Sequence, residues 1–181
     1  MKRSIDYRKV KKALAKEFDN KCAYCGSPLG ITDFGNIEHF YPVSKFPDQA
    51  INPDNLLFVC RVCNISKANK FPVDATGSPL LLNPKTDNFE EHIRQNPDGT
   101  LSSLTERGEV TIKLLNLNRA GLVEARKSRE IEKVYYSEFD SAPPDTYNVF
   151  KESMLKIQYL NAHDVFQITK NFNNILLICC L

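Results

Sequence analysis

A helix is predicted near the start of the chain, where hydrophobic residues recur at helical spacing with lysines between them. The apolar stripe consists of Tyr7, Val10, Leu14 and Phe18. Asp6 precedes the stripe, and its carboxylate can accept hydrogen bonds from the free N–H groups of a first helical turn. The pattern therefore predicts a helix over residues 7–18 that begins at an Asp6 cap and carries a basic outer face.

The next fifty residues predict two short strands followed by a short helix. Residues 21–71 are rich in turn-forming residues, and two apolar segments within them, 36–40 and 56–59, have the length and composition of short strands. A short helix is predicted over 64–70, with Pro72 ending it because proline cannot continue a helical hydrogen-bond pattern. The order strand, strand, helix is the coarse prediction for this part of the chain.

Turn signals and then helical periodicity dominate the remainder. Residues 73–103 contain Gly-Ser-Pro, Asn-Pro and Pro-Asp-Gly sequences and predict a connector with little regular structure. Four helices are predicted after it, over about 105–115, 118–139, 146–160 and 163–178, the first two capped by Thr105 and Asn118. The prediction is an α+β protein with a core over 1–72, the connector, and a mainly helical region over 104–181.

Composition and charge narrow the class of protein. The chain has 181 residues, of which 42% are hydrophobic and 25% charged, as in an ordinary globular domain. Neither an apolar run long enough to span a membrane nor a secretory leader is present in it, so we expect a cytoplasmic protein. Residues 1–70 hold 12 Lys and Arg against 7 Asp and Glu, which would attract a polyanion, although the same lysines could simply coat a solvated helix.

Four of the six cysteines form two Cys-x2-Cys pairs. These are Cys22 with Cys25 and Cys60 with Cys63, whereas Cys179 and Cys180 stand apart at the end of the chain. Paired Cys-x2-Cys units in a reducing compartment are metal ligands far more often than disulfides, and two of them can surround Zn²⁺ tetrahedrally. A redox motif would need only one pair. The spacing predicts a structural zinc site with no open coordination position.

Polar residues of catalytic type lie between and beside the cysteine pairs. Glu38 and His39 are adjacent on the first predicted strand, Asn55 precedes the second, and Asn64 and Lys67 follow Cys63. Singly, each of them has an ordinary structural interpretation: a surface acid, a turn asparagine or a helix cap. As an ordered set inside a zinc frame they predict chemistry at a phosphodiester.

The ordered set resembles the HNH endonucleases, which have the ββα-metal fold. The resemblance covers residues 22–70 and combines both cysteine pairs with Glu-His-x2-Pro, Asn-Leu-Leu and Asn-x2-Lys. Weaker similarity, in segments 77–84, 104–108 and 117–126, is to the HNH effectors of Septu-type and retron-associated anti-phage systems. Those are bacterial proteins that act beside an ATPase partner, so the resemblance implies such a partner for this chain.

The resemblance also implies a role for each residue. His39 corresponds to the general base that activates water, and Glu38 and Asn64 to the ligands of one catalytic Mg²⁺ or Mn²⁺. Asn55 corresponds to the residue that braces the loop and orients the histidine. Lys67, one turn beyond Asn64, could contact the phosphate.

The resulting expectation is a zinc-braced HNH nuclease that cuts nucleic acid in defence against phage, without association with a membrane. DNA is the favoured substrate, and RNA such as tRNA is an alternative because activated water does not by itself distinguish the two sugars. A second alternative is a zinc-ribbon module that binds nucleic acid or protein without cutting it. That module needs the four cysteines but makes no demand on Glu38, His39 or Asn64.

Overall fold

The computed structural model describes residues 6–30 and 33–139, with side chains described as far as residue 130. Within them, two antiparallel strand pairs and four helices follow one another along the chain. The helices are α1 Tyr7–Glu17, α2 Arg61–Lys67, α3 Glu106–Leu114 and α4 Ala120–Phe139. The strands are β1 Asn36–His39, β2 Leu56–Val59, β3 Ile93–Gln95 and β4 Leu101–Ser103. The predicted α+β class is confirmed.

Helix α1 begins at the predicted cap. The Asp6 carboxylate accepts hydrogen bonds from the backbone N–H groups of Arg8 at 3.1 Å and Lys9 at 3.4 Å. These bonds satisfy two of the donors that a helix leaves free in its first turn. Leu14, in the centre of the apolar stripe, is buried against the core. The predicted helix over 7–18 is therefore confirmed, one residue shorter at its end.

Strands β1 and β2 form the predicted antiparallel pair. Asn36 lies opposite Val59 and His39 opposite Leu56. The side chains of Leu57 and Val59 have no exposed surface, which places β2 in the centre of the core. Helix α2 follows β2 after a single residue, so the order strand, strand, helix is confirmed.

Helix α2 begins three residues earlier than predicted. Cys60 is its cap, and the Cys60 Sγ accepts a hydrogen bond from the Cys63 N–H at 3.3 Å. The Asp33 carboxylate accepts a second one from the Arg61 N–H at 2.8 Å. The helix ends where Ala68 adopts φ of +46°, so the prediction that Pro72 ends it was wrong. Asn64 consequently lies inside the helix rather than at its cap.

A hairpin of β3 and β4 occupies part of the connector that was predicted to be irregular over 73–103. Ile93 lies opposite Ser103 and Gln95 opposite Leu101. The turn between them is the predicted Asn-Pro-Asp-Gly sequence, in which Gly99 takes φ of +81°. The strands are three residues long, too short for alternating polarity to be read from the sequence, and this is why the prediction missed them.

The chain after the hairpin contributes to the same core as the strands. The Thr105 hydroxyl accepts a hydrogen bond from the Gly108 N–H at 3.2 Å, confirming it as the cap of α3. Asn118 does not cap α4 as predicted, because its amide exchanges two hydrogen bonds with the backbone of Leu101. Leucines from the connector, from the segment between α3 and α4 and from α4 join Leu57 of β2 in one buried cluster: Leu81, Leu115, Leu117 and Leu122.

One compact unit extends to Glu130, and a second begins at Ile131. The first unit includes α3 and the start of α4 together with both cysteine pairs. The helices predicted over 146–160 and 163–178, and the Cys179–Cys180 pair, lie outside the described residues. Within residues 6–30 and 33–139, no helix combines the length and apolar character needed to cross a membrane.

Candidate functional site

The four paired cysteines converge on one point. The Sγ atoms of Cys22, Cys25, Cys60 and Cys63 all lie within 4.8 Å of one another, and those of Cys25 and Cys60 are 3.8 Å apart. Four sulfurs placed tetrahedrally at about 2.3 Å from a zinc ion would be separated by about 3.8 Å. The cluster therefore fits Zn²⁺ in number, element and spacing, and it leaves no ligand position for a reactant.

The sulfurs compete for protons because they are so close. A hydrogen bond with Cys22 lowers the pKa of Cys25 and lowers that of Cys60 to about 7. The hydrogen bonds that Cys22 and Cys63 make to their neighbours raise the pKa of both. Deprotonated sulfur, the form that binds zinc, is thus available in the cluster at neutral pH.

A second feature, a cavity of about 310 Å³, brings together three of the predicted catalytic residues. Glu38 and His39 from β1 and Asn64 from α2 line it, along with residues 42–44 and 68–69. Adjacent residues of a strand point to opposite sides, and here the Glu38 carboxylate turns towards α2 while the His39 ring turns towards the loop after β1. The cavity opens between them.

The hydrogen bond of His39 determines which ring nitrogen can act as a base. Nε2 lies 3.0 Å from the carbonyl oxygen of Ala50. A carbonyl oxygen only accepts, so Nε2 carries the proton, and in the neutral ring Nδ1 holds the free lone pair. Nδ1 is therefore the ring nitrogen that can take a proton from water.

Lys67 lies beneath the cavity rather than at its surface. Its side chain has no exposed area, and Nζ donates to Glu38 Oε1 at 2.6 Å and to the His39 carbonyl oxygen at 2.7 Å. The predicted phosphate contact does not agree with this placement, because a buried ammonium already bound to a carboxylate cannot meet a phosphate. Lys67 instead fixes both residues of the Glu-His pair.

The ion pair also sets the charge of Glu38. Burial raises the pKa of the Glu38 carboxyl, and the hydrogen bond and charge of Lys67 oppose that rise. Burial lowers the pKa of Lys67 and the carboxylate of Glu38 opposes that change. Burial outweighs the partner in both groups, so the pKa of Glu38 stays above its ordinary value and that of Lys67 stays below it.

Asn55 braces the loop that holds His39. It is buried, and its amide accepts a hydrogen bond from Tyr41 N–H at 2.7 Å and donates to the carbonyl oxygens of Tyr41 at 3.1 Å and Gln49 at 2.9 Å. Gln49 is the neighbour of Ala50, whose carbonyl binds the His39 ring. Asn55 does not line the cavity, so its contribution is to position the loop.

Asn64 projects from the middle of α2 and is half-buried at the cavity. Its side chain makes no hydrogen bond to any residue in the described part of the chain. Because Cys63 precedes it and Lys67 follows one turn later, a single helix connects the sulfur cluster, the cavity and the Glu38 carboxylate. The amide oxygen of Asn64 is a neutral hard donor of the kind that suits Mg²⁺ or Mn²⁺.

Sequence reasoning missed Arg119, which lies beside the sulfur cluster. Its Nη2 is 3.7 Å from Cys25 Sγ and 3.9 Å from both Cys60 Sγ and Cys63 Sγ. Burial lowers the pKa of Arg119, but the charges of Cys63 and Cys25 raise it above its ordinary value. Arg119 is 56 residues from the nearest of these cysteines in the chain, so no local sequence pattern could have revealed the contact.

The comparisons with known proteins agree with this geometry. The HNH endonuclease family model matches residues 22–73. Septu protein PtuB of Bacillus mycoides is 33% identical over 157 residues, covering 69% of this chain and 53% of that protein. Septu protein PtuA of the same organism is 29% identical over 161 residues, covering 73% of this chain and 21% of that protein. Protein ea31 of Escherichia phage lambda is 42% identical over 55 residues, covering 30% of this chain and 18% of that protein.

This chain spans about half the length of the PtuB protein and less of the other two. The family match begins at Cys22 and extends past Cys63, so it includes both cysteine pairs and every residue of the cavity. Residues 22–73 therefore form an HNH endonuclease domain, and the similarity to Septu proteins extends beyond that domain.

Proposed function

We propose that this protein is a metal-dependent endonuclease of anti-phage defence, and that His39 is its general base. The observation that carries the proposal is the hydrogen bond from His39 Nε2 to the Ala50 carbonyl, which leaves Nδ1 as the basic nitrogen in a cavity shared with Glu38 and Asn64. A zinc-ribbon binding module has no use for that arrangement.

Glu38 and Asn64 would hold the catalytic cation in this proposal. Lys67 engages Glu38 Oε1, so Oε2 is the atom assigned to the cation, together with the amide oxygen of Asn64. A bound Mg²⁺ or Mn²⁺ would polarise the phosphate and stabilise the charge on the leaving oxygen. Because Lys67 offsets the only carboxylate of the cavity, the protein alone should bind the cation weakly.

The chemistry of the chain's own residues is a single proton transfer. His39 Nδ1 takes a proton from a water molecule, and the resulting hydroxide oxygen forms a bond to phosphorus. The bond from phosphorus to the 3′ oxygen breaks, which leaves a 5′-phosphate, and the departing 3′ oxygen takes a proton from solvent water to become the 3′-hydroxyl. The Ala50 carbonyl oxygen keeps the imidazolium in place. Asn55 in turn holds the loop through its hydrogen bond to the carbonyl oxygen of Gln49, the residue before Ala50.

A cleavage assay tests the proposal. The zinc-loaded protein is incubated with plasmid DNA and, separately, with tRNA, in the presence of Mg²⁺ or Mn²⁺, beside His39→Ala and Asn69→Ala. Removal of a general base is expected to slow cleavage by about 10²- to 10⁴-fold, whereas Asn69, an exposed residue at the rim, should matter little.

Cleavage that is equally fast in His39→Ala would contradict the proposed base. Cleavage of tRNA and not of DNA would select the RNA alternative, and binding without cleavage under every metal and partner condition would select the binding module. DNA is the substrate we propose, and the resemblance to the Septu-type effectors of anti-phage defence supports this choice.

We further propose that the nuclease acts beside an ATPase partner. The support is the resemblance to Septu-type effectors, with similarity to both PtuA and PtuB that extends outside residues 22–73. Co-expression of the tagged full-length chain with a Septu-type ATPase should yield a stable complex. Separate elution of the two proteins at micromolar concentrations would contradict the partnership.

A further inference from the structure

The guanidinium of Arg119 lies where three of the four cysteine sulfurs can be reached at once. Its Nη2 approaches Cys25, Cys60 and Cys63 at 3.7–3.9 Å. Its other terminal nitrogen, Nη1, donates to the carbonyl oxygens of Leu115 at 3.4 Å and Asn116 at 3.2 Å, just beyond the end of α3. One side chain thus connects the sulfur cluster to the segment that joins α3 to α4.

Charge explains why a cation is useful at this position. Four thiolates carry twice the charge of the zinc ion that they would bind, so the loaded centre has an excess of negative charge in a half-buried place. Hydrogen bonds from outside the metal's ligand set stabilise that charge and fix the orientation of the ligands. The Cys63 N–H supplies a neutral donor to Cys60 Sγ, and Arg119 supplies a charged donor to the cluster. The Ser27 hydroxyl oxygen lies 3.3 Å from Cys25 Sγ.

Arg126 provides an internal comparison, because it is a second arginine only seven residues further along the chain, inside α4, and has a different environment. It is more deeply buried than Arg119, yet its two terminal nitrogens donate to the carbonyl oxygens of Gly99 and Leu117 and to no sulfur. Its role is to attach α4 to the β3–β4 hairpin. The approach to the clustered sulfurs is therefore specific to Arg119 and is not shared by the neighbouring buried arginine.

We propose that Arg119 is a positioning residue of the zinc centre, whose guanidinium donates to the zinc-bound thiolates and thereby couples zinc binding to the junction of α3 and α4. The proposal rests on zinc binding by the four cysteines and not on nuclease activity. Its test therefore reads the metal centre directly, and a failure to cut nucleic acid would not affect it.

The experiment compares the zinc-loaded full-length protein with Arg119→Met, Arg119→Lys and Arg126→Met. Transfer of zinc to a chromogenic chelator gives the apparent affinity. Loss of a residue that hydrogen-bonds to metal ligands weakens binding by about 10- to 100-fold, which is the expected result for Arg119→Met. Arg119→Lys keeps the charge and should recover part of that loss, and Arg126→Met should stay within about twofold of the wild type.

Cobalt substitution adds a readout that a purely structural role would not change. A hydrogen bond stabilises the sulfur lone pairs, so its removal should shift the sulfur-to-cobalt charge-transfer band to longer wavelength in Arg119→Met and less in Arg119→Lys. The band should stay in place in Arg126→Met even where that variant is less stable. If Arg119→Met does not fold, the Lys variant carries the test through the same band.

Two results would overturn the proposal. One is an unshifted band together with unchanged zinc affinity in the Arg119 variants. The other is an equal change in Arg126→Met, which would reduce the effect of Arg119 to the attachment of α4.

Discussion

Two asparagines show how the same residue type acquires different uses in this molecule. The side-chain amide of Asn55 uses both its NH₂ group and its oxygen in hydrogen bonds to the backbone of Tyr41 and Gln49. The side-chain amide of Asn64 makes no such bond in the described residues, and Asn64 lines the cavity. The first asparagine fixes the loop that orients His39, and the second is available to a ligand. Burial and hydrogen-bond partners, rather than residue type, decide between the two roles.

Replacement of Asn55 by alanine should be strongly destabilising. The Tyr41 N–H and two carbonyl groups would lose their partners in a buried place, so we expect the free energy of unfolding to fall by about 3 kcal/mol. Asn52→Ala is the matched control, because Asn52 is only half-buried. It caps the short turn before β2 and donates to the Gln49 side chain, and its loss should cost about 1 kcal/mol. Urea unfolding of the zinc-loaded proteins measures both, and equal losses would contradict the bracing role.

A second residue-scale prediction concerns pH. Burial raises the pKa of Asp87, but hydrogen bonds from Arg107 and the Asn83 N–H lower it by more than burial raises it. The pKa of Asp87 is therefore below its ordinary value. A lowered carboxyl pKa contributes stability at neutral pH that is lost as the pH falls through that pKa. Asp87→Asn should therefore cost about 2 kcal/mol at pH 7, and the difference from wild type should shrink below about pH 4.

Urea unfolding of both proteins, from pH 7 down to the lowest pH at which both stay folded, measures that difference. Both proteins are kept zinc-loaded over this range, because loss of zinc would itself unfold the domain. A deficit that stays constant over the whole range would show that Asn at this position causes a packing defect instead of the loss of an ion pair.

Three of the residues that line the cavity could be predicted from the sequence, but the placement of the residues around it could not. Glu38, His39 and Asn64 could be grouped because their spacing matches a known ordered set. The burial of Lys67 could not be predicted, since it follows from the way α2 packs on β1. The contact of Arg119 with the sulfurs likewise arises only when distant segments meet.

At the scale of elements, α2 links the structural and the reactive parts of the site. Its cap and first turn carry Cys60 and Cys63, its middle carries Asn64, and its last residue, Lys67, holds Glu38. A shift of this helix would therefore disturb the cysteine cluster, the proposed cation site and the segment that carries His39 together. A zinc ion bound at the start of the helix would hold these seven residues in place, since so short a helix is not stable alone.

The contact of α3 with the β3–β4 hairpin depends on the absence of a side chain at Gly108. A Cβ atom there would lie 2.0 Å from the backbone oxygen of His92. Gly108→Ala should therefore separate the hairpin from the helix and lower the free energy of unfolding by about 2–3 kcal/mol.

Gly121 in α4 is the matched control, because a Cβ atom there would meet nothing within 4 Å. Gly121→Ala should be neutral or stabilise by up to about 1 kcal/mol, since alanine favours the helix. Chemical denaturation of the two variants provides the measurement. A loss in Gly121→Ala as large as in Gly108→Ala would contradict the account of the contact.

The elements that the sequence predicted best are those with local signals. The cap at Asp6, the apolar strand segments and the cap at Thr105 are each encoded by a few neighbouring residues. The start of α2 was missed because a cysteine side chain serves as its cap, which is not the usual residue type there. Asn118 was misassigned because the backbone of Leu101 competes for its amide.

At the scale of the whole molecule, the sulfur cluster and the cavity that we propose as a cation site would have separate roles. The sulfur cluster fits a zinc ion that organises the fold, and the cavity of Glu38, His39 and Asn64 is the site we propose for a weakly held hard cation. Leucines from the connector, α3 and α4 pack into the same core as β2. The segments outside the family match are therefore part of what supports the site.

Zinc removal should accordingly unfold the domain. Structural zinc contributes about 10–16 kcal/mol in small domains, which is comparable with the whole stability of a domain. Treatment with a strong zinc chelator is expected to abolish cooperative thermal unfolding and the near-ultraviolet circular dichroism signal, and added zinc should restore both. Removal of Mg²⁺ alone, with zinc retained, should leave both signals unchanged. Survival of the fold without zinc would contradict the structural role of zinc.

The most direct test of the account is to locate the second cation. Crystals of the zinc-loaded protein soaked with Mn²⁺ and a short oligonucleotide should show an anomalous peak about 2.1 Å from an oxygen of Glu38 and from the amide oxygen of Asn64, with His39 Nδ1 facing the scissile phosphate. A peak elsewhere, or Mn²⁺ bound without either residue, would contradict the claim that these three side chains form one catalytic centre.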